Sequence, residues 1–311
     1  MKKINKFGIF MIVFGVLFVI AGLSFLAQKQ YGSVVVGIVI GALLVVAGMK
    51  RIKNPPTPKP SRAERKQQEA AEREEARRKQ AEEWQRREEE KVNNFKVMLN
   101  SIPSAKIDIN PTTLTRAQLK DMPEIKTSNI AKTFNPSSLP AFVVIDTETT
   151  GLKANTDRIV EISAIIFEEY LPTSSWTTRI KIDRPIPPEV SLINGIHDED
   201  LVSAPLLEEV AESFKNFIGN LPIVGYNISF DLKFLYCSGI DLVSLKQKKY
   251  DVLTLARKEY KDIITGGFSL ENVCDYNDIF YIPHQSLSDC YATGELFKTI
   301  IEERTNSFIP Q

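Results

Sequence analysis

Phe142-Val143-Val144-Ile145-Asp146-Thr147-Glu148-Thr149-Thr150-Gly151-Leu152 is an apolar run that ends in two acids and then in a turn. The uninterrupted apolar stretch from Phe142 to Ile145 predicts a buried strand. Asp146 and Glu148 are two residues apart at its end, so on extended chain their side chains point to the same side and can share a ligand. Thr149-Thr150-Gly151-Leu152 then supplies a turn whose backbone and hydroxyls can approach that ligand closely, with Gly151 allowing the bend.

Further acidic signals follow: Asp231 in Gly225-Tyr226-Asn227-Ile228-Ser229-Phe230-Asp231-Leu232-Lys233-Phe234-Leu235, and His284 with Asp289 in His284-Gln285-Ser286-Leu287-Ser288-Asp289-Cys290. Four carboxylates brought to one point repel one another and stay partly protonated unless cations sit between them, which predicts a divalent-metal site. One histidine nearby points to hydrolysis. Taken singly, each signal has a plain reading: a solvated strand end, a helix N-cap, a chance His-x4-Asp pair. Their order and their strand and helix context favour the metal site. Asp231 is expected to cap or open a helix from Leu232 to Ser238 as well, and Phe230 with Phe234, at i, i+4 spacing, reads as core.

These motifs, DxETTGL at 146–152, NxxFDxxFL at 227–235 and HxxxxD at 284–289, resemble those of the DnaQ-like 3′-to-5′ exonucleases of the DEDDh type, the family of the DNA polymerase III epsilon proofreading subunit. The resemblance runs from about Leu139 to Thr305. It implies a ribonuclease-H-like fold. Residue by residue, it implies that Asp146, Glu148, Asp231 and Asp289 hold two divalent cations, Mg²⁺ or Mn²⁺, with Asp146 shared between them, and that His284 is the general base. Thr147, Thr149, Gly151, Leu152, His197 and Asn227 would bind substrate. The implied reaction releases nucleoside 5′-monophosphates from nucleic-acid 3′ ends, DNA favoured over RNA. A separate polymerase or other replication or repair protein is an implied partner. Departures from the family pattern are Tyr226, where histidine is frequent, His197, where threonine is common, and Cys290, where alanine is usual. For His197, contact with a terminal nucleotide and a plain loop histidine both stand.

Around the motifs the pattern is α/β. Ile159 to Phe167 and Trp176 to Ile182 read as strands about a turn at Pro172-Thr173-Ser174-Ser175, antiparallel to the first strand. A helix at Leu206 to Ile218, a strand at Ile223 to Gly225, and helices near Leu232, Val252, Leu270 and Leu287 follow. Such an order predicts a mixed central sheet flanked by helices. Ile282-Pro283 should keep His284 out of the last helix while Asp289 falls in its first turns.

Charge limits the partners. The chain is neutral overall, with 39 basic and 39 acidic residues, but residues 139–311 hold 15 Lys and Arg against 26 Asp and Glu, a net of −11. That is no footprint of a strong duplex binder and suits short single-stranded ends. Lys153, Arg158, Lys233 and Arg257 are candidate phosphate contacts. Three widely spaced cysteines, Cys237, Cys274 and Cys290, suggest neither disulfides nor zinc.

The amino-terminal part has a different composition. Phe7 to Ala27 and Tyr31 to Met49 are two uncharged apolar stretches, each long enough to cross about 30 Å of hydrocarbon. With only Gln28-Lys29-Gln30 between them, residues 1–53 predict a two-pass transmembrane hairpin. Lys2, Lys3 and Lys6 before it and Lys50, Arg51 and Lys53 after it place both ends, and the nuclease, in the cytoplasm. The length of the first span and the second directly after it argue against a cleaved signal peptide. Glycines at 8, 15 and 22, and at 37 and 41, allow close helix packing within the hairpin or between copies. Residues 54–60 form a Pro-rich spacer. Ser61 caps a charged run, 61–99, with ten basic and ten acidic residues as far as Lys91 and many i, i+4 pairs, read as a solitary solvated helix acting as a rod. Residues 100–138 are a linker that could pack on the nuclease, bind a partner or stay a mobile tether, with a brief helix expected within Thr113 to Met122. The 139–311 segment is the exonuclease domain. The alternative to a membrane-anchored exonuclease is a membrane scaffold whose nuclease-like domain binds without turnover.

Overall fold

In the computed structural model, which describes residues 11–17, 31–53 and 61–306, the run from Ala141 forms strand β1 (Ala141–Thr149), and a sheet grows on both of its edges. β2 (Ile159–Glu168) and β3 (Leu171–Arg179) add antiparallel on one side, while β4 (Ile223–Gly225) and β5 (Lys249–Asp251) add parallel on the other, in the order β3-β2-β1-β4-β5. This is the expected mixed α/β sheet with flanking helices.

Both faces of β1 are covered, which is why its sequence runs apolar without alternation. Phe142 and Val144 face one core with α8 (Val252–Tyr260), α9 (Leu270–Tyr276) and α10 (Ser286–Thr305). Val143 and Ile145 face a second core with α6 (Leu207–Ile218) and α7 (Ser229–Cys237). Asp146 and Glu148 continue the parity of Phe142 and Val144, so they share the α10 side of the sheet. Two short helices, α4 (Pro188–Asn194) and α5 (Asp198–Leu201), lie between β3 and α6. α10 reaches β1 and β2 closely because of Gly294: a Cβ there would meet the Phe167 ring at 2.1 Å.

Three local expectations are corrected. The β2–β3 turn is Glu169-Tyr170, both at positive φ of 49° and 63°, and Pro172 to Ser175 lie inside β3. A proline is tolerated there because β3 is the sheet edge. The helix around Asp231 starts at Ser229 after Ile228, so Asp231 sits within the first turn and does not cap it. In the linker, the helix expected within Thr113 to Met122 shrinks to a single 3₁₀ turn, Leu119–Asp121.

The two compact units are Met1–Glu83 and Trp84–Gln311. In the second, residues 102–138 pack on the nuclease. Ser104 bridges to Ser175 of β3, Asn110 and Thr112 donate to the carbonyls of Glu209 and Glu208, Ser128 donates to that of Lys249, and Ile130 is fully buried. Helix α3 (Arg62–Ser101) spans 40 residues. Its start is the expected cap made reciprocal, Glu64 N to Ser61 Oγ at 3.2 Å and Ser61 N to Glu64 Oε2 at 2.6 Å. Its end departs from a solitary solvated helix, since Phe95 and Leu99 enter the first core.

In the first unit, residues 11–17 are helical (α1) and α2 spans Tyr31–Lys53. They meet at glycine, where a Cβ on Gly15 would lie 2.6 Å from the Gly41 carbonyl oxygen and 2.8 Å from Val45. Among the described residues no helix is long and apolar enough to cross a membrane. Much of the first expected span, the Gln28 to Gln30 turn and the 54–60 spacer lie outside the described residues, so the transmembrane hairpin is without support in the structure.

Candidate active site

The sheet delivers Asp146 and Glu148 from β1, and the first turn of α10 delivers Asp289. One carboxylate oxygen of each lies within 4.8 Å of those of the other two. Asp289 Oδ1 is buried with no hydrogen-bond partner. Asp231, 3% exposed on α7, lies outside this trio, and its Oδ1 accepts from the Thr147 hydroxyl at 2.8 Å. Its charge nonetheless reaches all three.

Burial, then mutual repulsion, pushes these acids upward: Glu148 to about 7 and Asp289 to about 8, with Asp146 well above the carboxylate range. Asp231 rises to about 7, chiefly by burial and against the pull of the Thr147 hydroxyl. The Asn194 amide counters the rise at Glu148 without completing a hydrogen bond. Oxygen-only donors, an orphaned buried oxygen and, among the described residues, no cationic side chain hydrogen-bonded to the trio fit a divalent cation, which prefers such ligands and would relieve the repulsion.

His284 precedes α10 with a left-handed φ of 59°, is exposed, and lines a cavity of about 450 Å³ with Glu161, Arg179, Asn194 and Gln285. Sequence reasoning missed Glu161. It stands opposite Glu148 in the β1–β2 register, accepts from Ser286 Oγ at 2.5 Å and pairs with Arg179 at 3.5 Å, while Arg179 also holds Asp200 at 2.8 Å. The available signal was one acid inside the apolar Ile159 to Phe167 stretch.

The remaining candidates separate. Leu152, 85% exposed, and Asn227, at φ 56°, line a second cavity of about 500 Å³ with Lys153, Phe230 and Lys233. Phe230 therefore opens on a cleft, although its ring lies 4.8 Å from that of core residue Phe234. Thr149 Oγ1 donates to the Gly151 carbonyl, and Gly151 leaves room for the Asp157 carboxylate, which a Cβ would meet at 2.5 Å. His197 stands exposed at the start of α5, outside the carboxylate trio, its amide donating to Asp200 at 2.9 Å. Of the candidate phosphate contacts, Arg158 is engaged by Asp183 at 3.0 Å.

Comparison with known proteins gives one answer. The exonuclease family model (RNase_T) matches residues 143–297. The DNA polymerase III subunit epsilon of Treponema pallidum (strain Nichols) is 35% identical over 164 residues, 52% of this chain and 76% of that protein. The PolC-type DNA polymerase III of Caldanaerobacter subterraneus subsp. tengcongensis is 29% identical over 164 residues, and there the match covers 12% of the relative. The solved structure of exonuclease X in complex with 5′ overhanging duplex DNA superposes with a TM-score of 0.44 at 24% identity, covering 54% of this chain and 95% of that one.

Proposed function

The chain belongs to the exonuclease family, and from that premise we propose that it is a membrane-tethered 3′-to-5′ exonuclease acting on short single-stranded ends, DNA before RNA. The observation that carries the reading is the convergence of Asp146, Glu148 and Asp289 within 4.8 Å, with Asp289 Oδ1 buried and without a hydrogen-bond partner.

Asp146, Glu148, Asp231 and Asp289 would hold the cations, Mg²⁺ or Mn²⁺. When bound, a pair of such ions supplies positive charge to the attacking and leaving oxygens of an in-line displacement at phosphorus. His284, exposed on a cavity wall, takes the proton of the attacking water on an imidazole nitrogen. Thr147 orients Asp231 through its hydroxyl. The cleft with Leu152, Asn227 and Phe230 receives the terminal nucleotide, and Lys153 and Lys233 lie there for its phosphate. DNA is favoured because the relative from Treponema is named a DNA polymerase III subunit, and a separate polymerase is a partner of the same origin.

The tether rests on the uncharged stretches of residues 7–27 and 31–49.

Full-length protein in mild detergent should shorten a 5′-labelled oligonucleotide one nucleotide at a time in Mg²⁺ or Mn²⁺, and Asp146→Ala should leave it intact. An unshortened oligonucleotide with the wild-type chain in both metals would sink the nuclease reading. Release of the protein from membranes by alkaline carbonate would sink the tether alone.

A further inference from the structure

The cavity beside His284 has a wall that the family region does not supply. Lys96 and Asn100, one turn apart near the end of α3, line it together with Glu161, Arg179, Asn194 and His284, whereas the family match begins only at residue 143. These two side chains do not ride on a loose end. Phe95 and Leu99, at the neighbouring i, i+4 positions, are 7% and 8% exposed, and Ile102 is 6% exposed. The Phe95 ring packs edge-on against Phe280 at 5.5 Å and against Tyr291 at 5.6 Å. Tyr291 lies two residues after Asp289 on α10, so the end of α3 is clamped to the helix that carries one of the acids.

Charge indicates what this wall meets. The cavity's arginine, Arg179, is taken up by Glu161 and Asp200. Lys96 is exposed and, among the described residues, its side chain has no hydrogen bond or ion pair. Asn194, 7% exposed, lines the same cavity, but its amide acts on Glu148, whose rise it counters. A free ammonium and the exposed Asn100 amide are complementary to an oxyanion. In a domain of net charge −11, a nucleic-acid strand entering beside His284 needs such a cation.

We propose that Lys96, with Asn100 one turn along the same helix, binds a backbone phosphate upstream of the scissile bond, so that the end of the charged helix is part of the substrate cleft. The proposal rests on the exonuclease reading and deepens it: the substrate must carry phosphates beyond the terminal linkage, and α3 selects for them.

The test uses the full chain, a 5′-labelled single-stranded 12-mer and a dinucleotide, in Mn²⁺. Lys96→Glu should raise KM for the 12-mer about tenfold, as expected for loss of a hydrogen bond to a charged group, with kcat far less affected. The defect should be smaller for the dinucleotide. Lys96→Ala should reduce the slope of log(kcat/KM) against log salt by about 0.7, the share of one phosphate on a single strand. Lys91→Glu, on the same helix but paired with Glu88 at 2.7 Å, should match wild type. Equal KM for Lys96→Glu and wild type, or an equal defect on dinucleotide and 12-mer, would overturn the proposal while leaving the nuclease reading standing. A wild-type chain that shortens neither substrate overturns both.

Discussion

Carboxylates crowd two regions of this molecule, with opposite consequences. Along α3 as far as Lys91, ten acids alternate with ten bases, and the side chains are solvated; Glu75 and Lys79 meet at 2.7 Å with 56% and 68% of their side chains exposed. At the end of β1 a handful of acids gathers with, among the described residues, no cationic side chain hydrogen-bonded to the trio, largely out of water, and burial pushes Asp231 to about 7 and Asp289 to about 8. In water, a neighbouring opposite charge contributes little, whereas in a buried site an unanswered like charge changes protonation itself. Composition therefore does not distinguish filler from chemistry. Burial and the missing counter-charge do.

The most severe way to break this contrast is to remove one buried acid. Asp146→Asn should lower kcat by a factor on the order of 10³ or more, a loss of about 4 kcal/mol of transition-state stabilisation, measured on a labelled oligonucleotide in Mn²⁺. The same change should leave the metal-free fold as stable as wild type or more so at pH 8, because it deletes a repelling charge. A variant that loses activity by unfolding would show that the acids serve the fold, contrary to the comparison.

A second test exploits protonation. Each of these acids has a folded pKa above its unfolded value of about 4, so the folded chain holds more protons than the unfolded one between about pH 4 and pH 8. Stability is therefore lost as pH rises through that window. In EDTA the melting temperature should fall by several degrees from pH 5 to pH 8, and millimolar Mn²⁺ should restore it at pH 8 by binding the folded state alone. Asp289→Asn should flatten the fall. A melting temperature that rises over the same interval in EDTA would mean that the acids already have cationic partners.

A third test reaches the acids through packing. Gly294 lets α10 lie on the ring of Phe167, which is itself stacked on Phe142 with centroids 5.1 Å apart and cannot easily yield. Gly294→Ala should destabilise the chain by about 1–3 kcal/mol in urea melts despite alanine's better helix propensity. It should also reduce activity, since the shifted helix carries Asp289.

The acids were legible because their chemistry is written locally. Asp146 and Glu148 follow an apolar run, Asp289 opens a periodic helix, and residue type and spacing carry both facts. Glu161 was not legible as a site residue, because its place opposite Glu148 depends on strand register, which the true turn at Glu169-Tyr170 sets. Neither residue type announces a left-handed two-residue turn, while Pro172-Thr173-Ser174-Ser175 looks like one and is edge strand. The fate of 102–138 was equally hidden. Its order comes from backbone hydrogen bonds to Ser175, Glu209 and Lys249, distant partners that no local pattern encodes. Lys96 went unnoticed for a related reason, since in a helix read as solvated throughout nothing in the charge pattern marks which turn meets a core, and Asn100 was read as the start of the linker.

The smallest effect lies on α3, and it sharpens the comparison from the other side. Glu75→Gln removes one member of an exposed i, i+4 pair whose remaining lysine stays fully hydrated. Stability should change by less than about 0.5 kcal/mol, and even that remnant should vanish in 1 M NaCl, where the screening length falls to about 3 Å. Helix content by circular dichroism should be unaltered. A loss above about 1 kcal/mol that survives salt would mean that the carboxylates of α3 are organised by the fold, as those around Asp146 are, and the distinction between solvated and reactive acids would no longer follow from exposure alone.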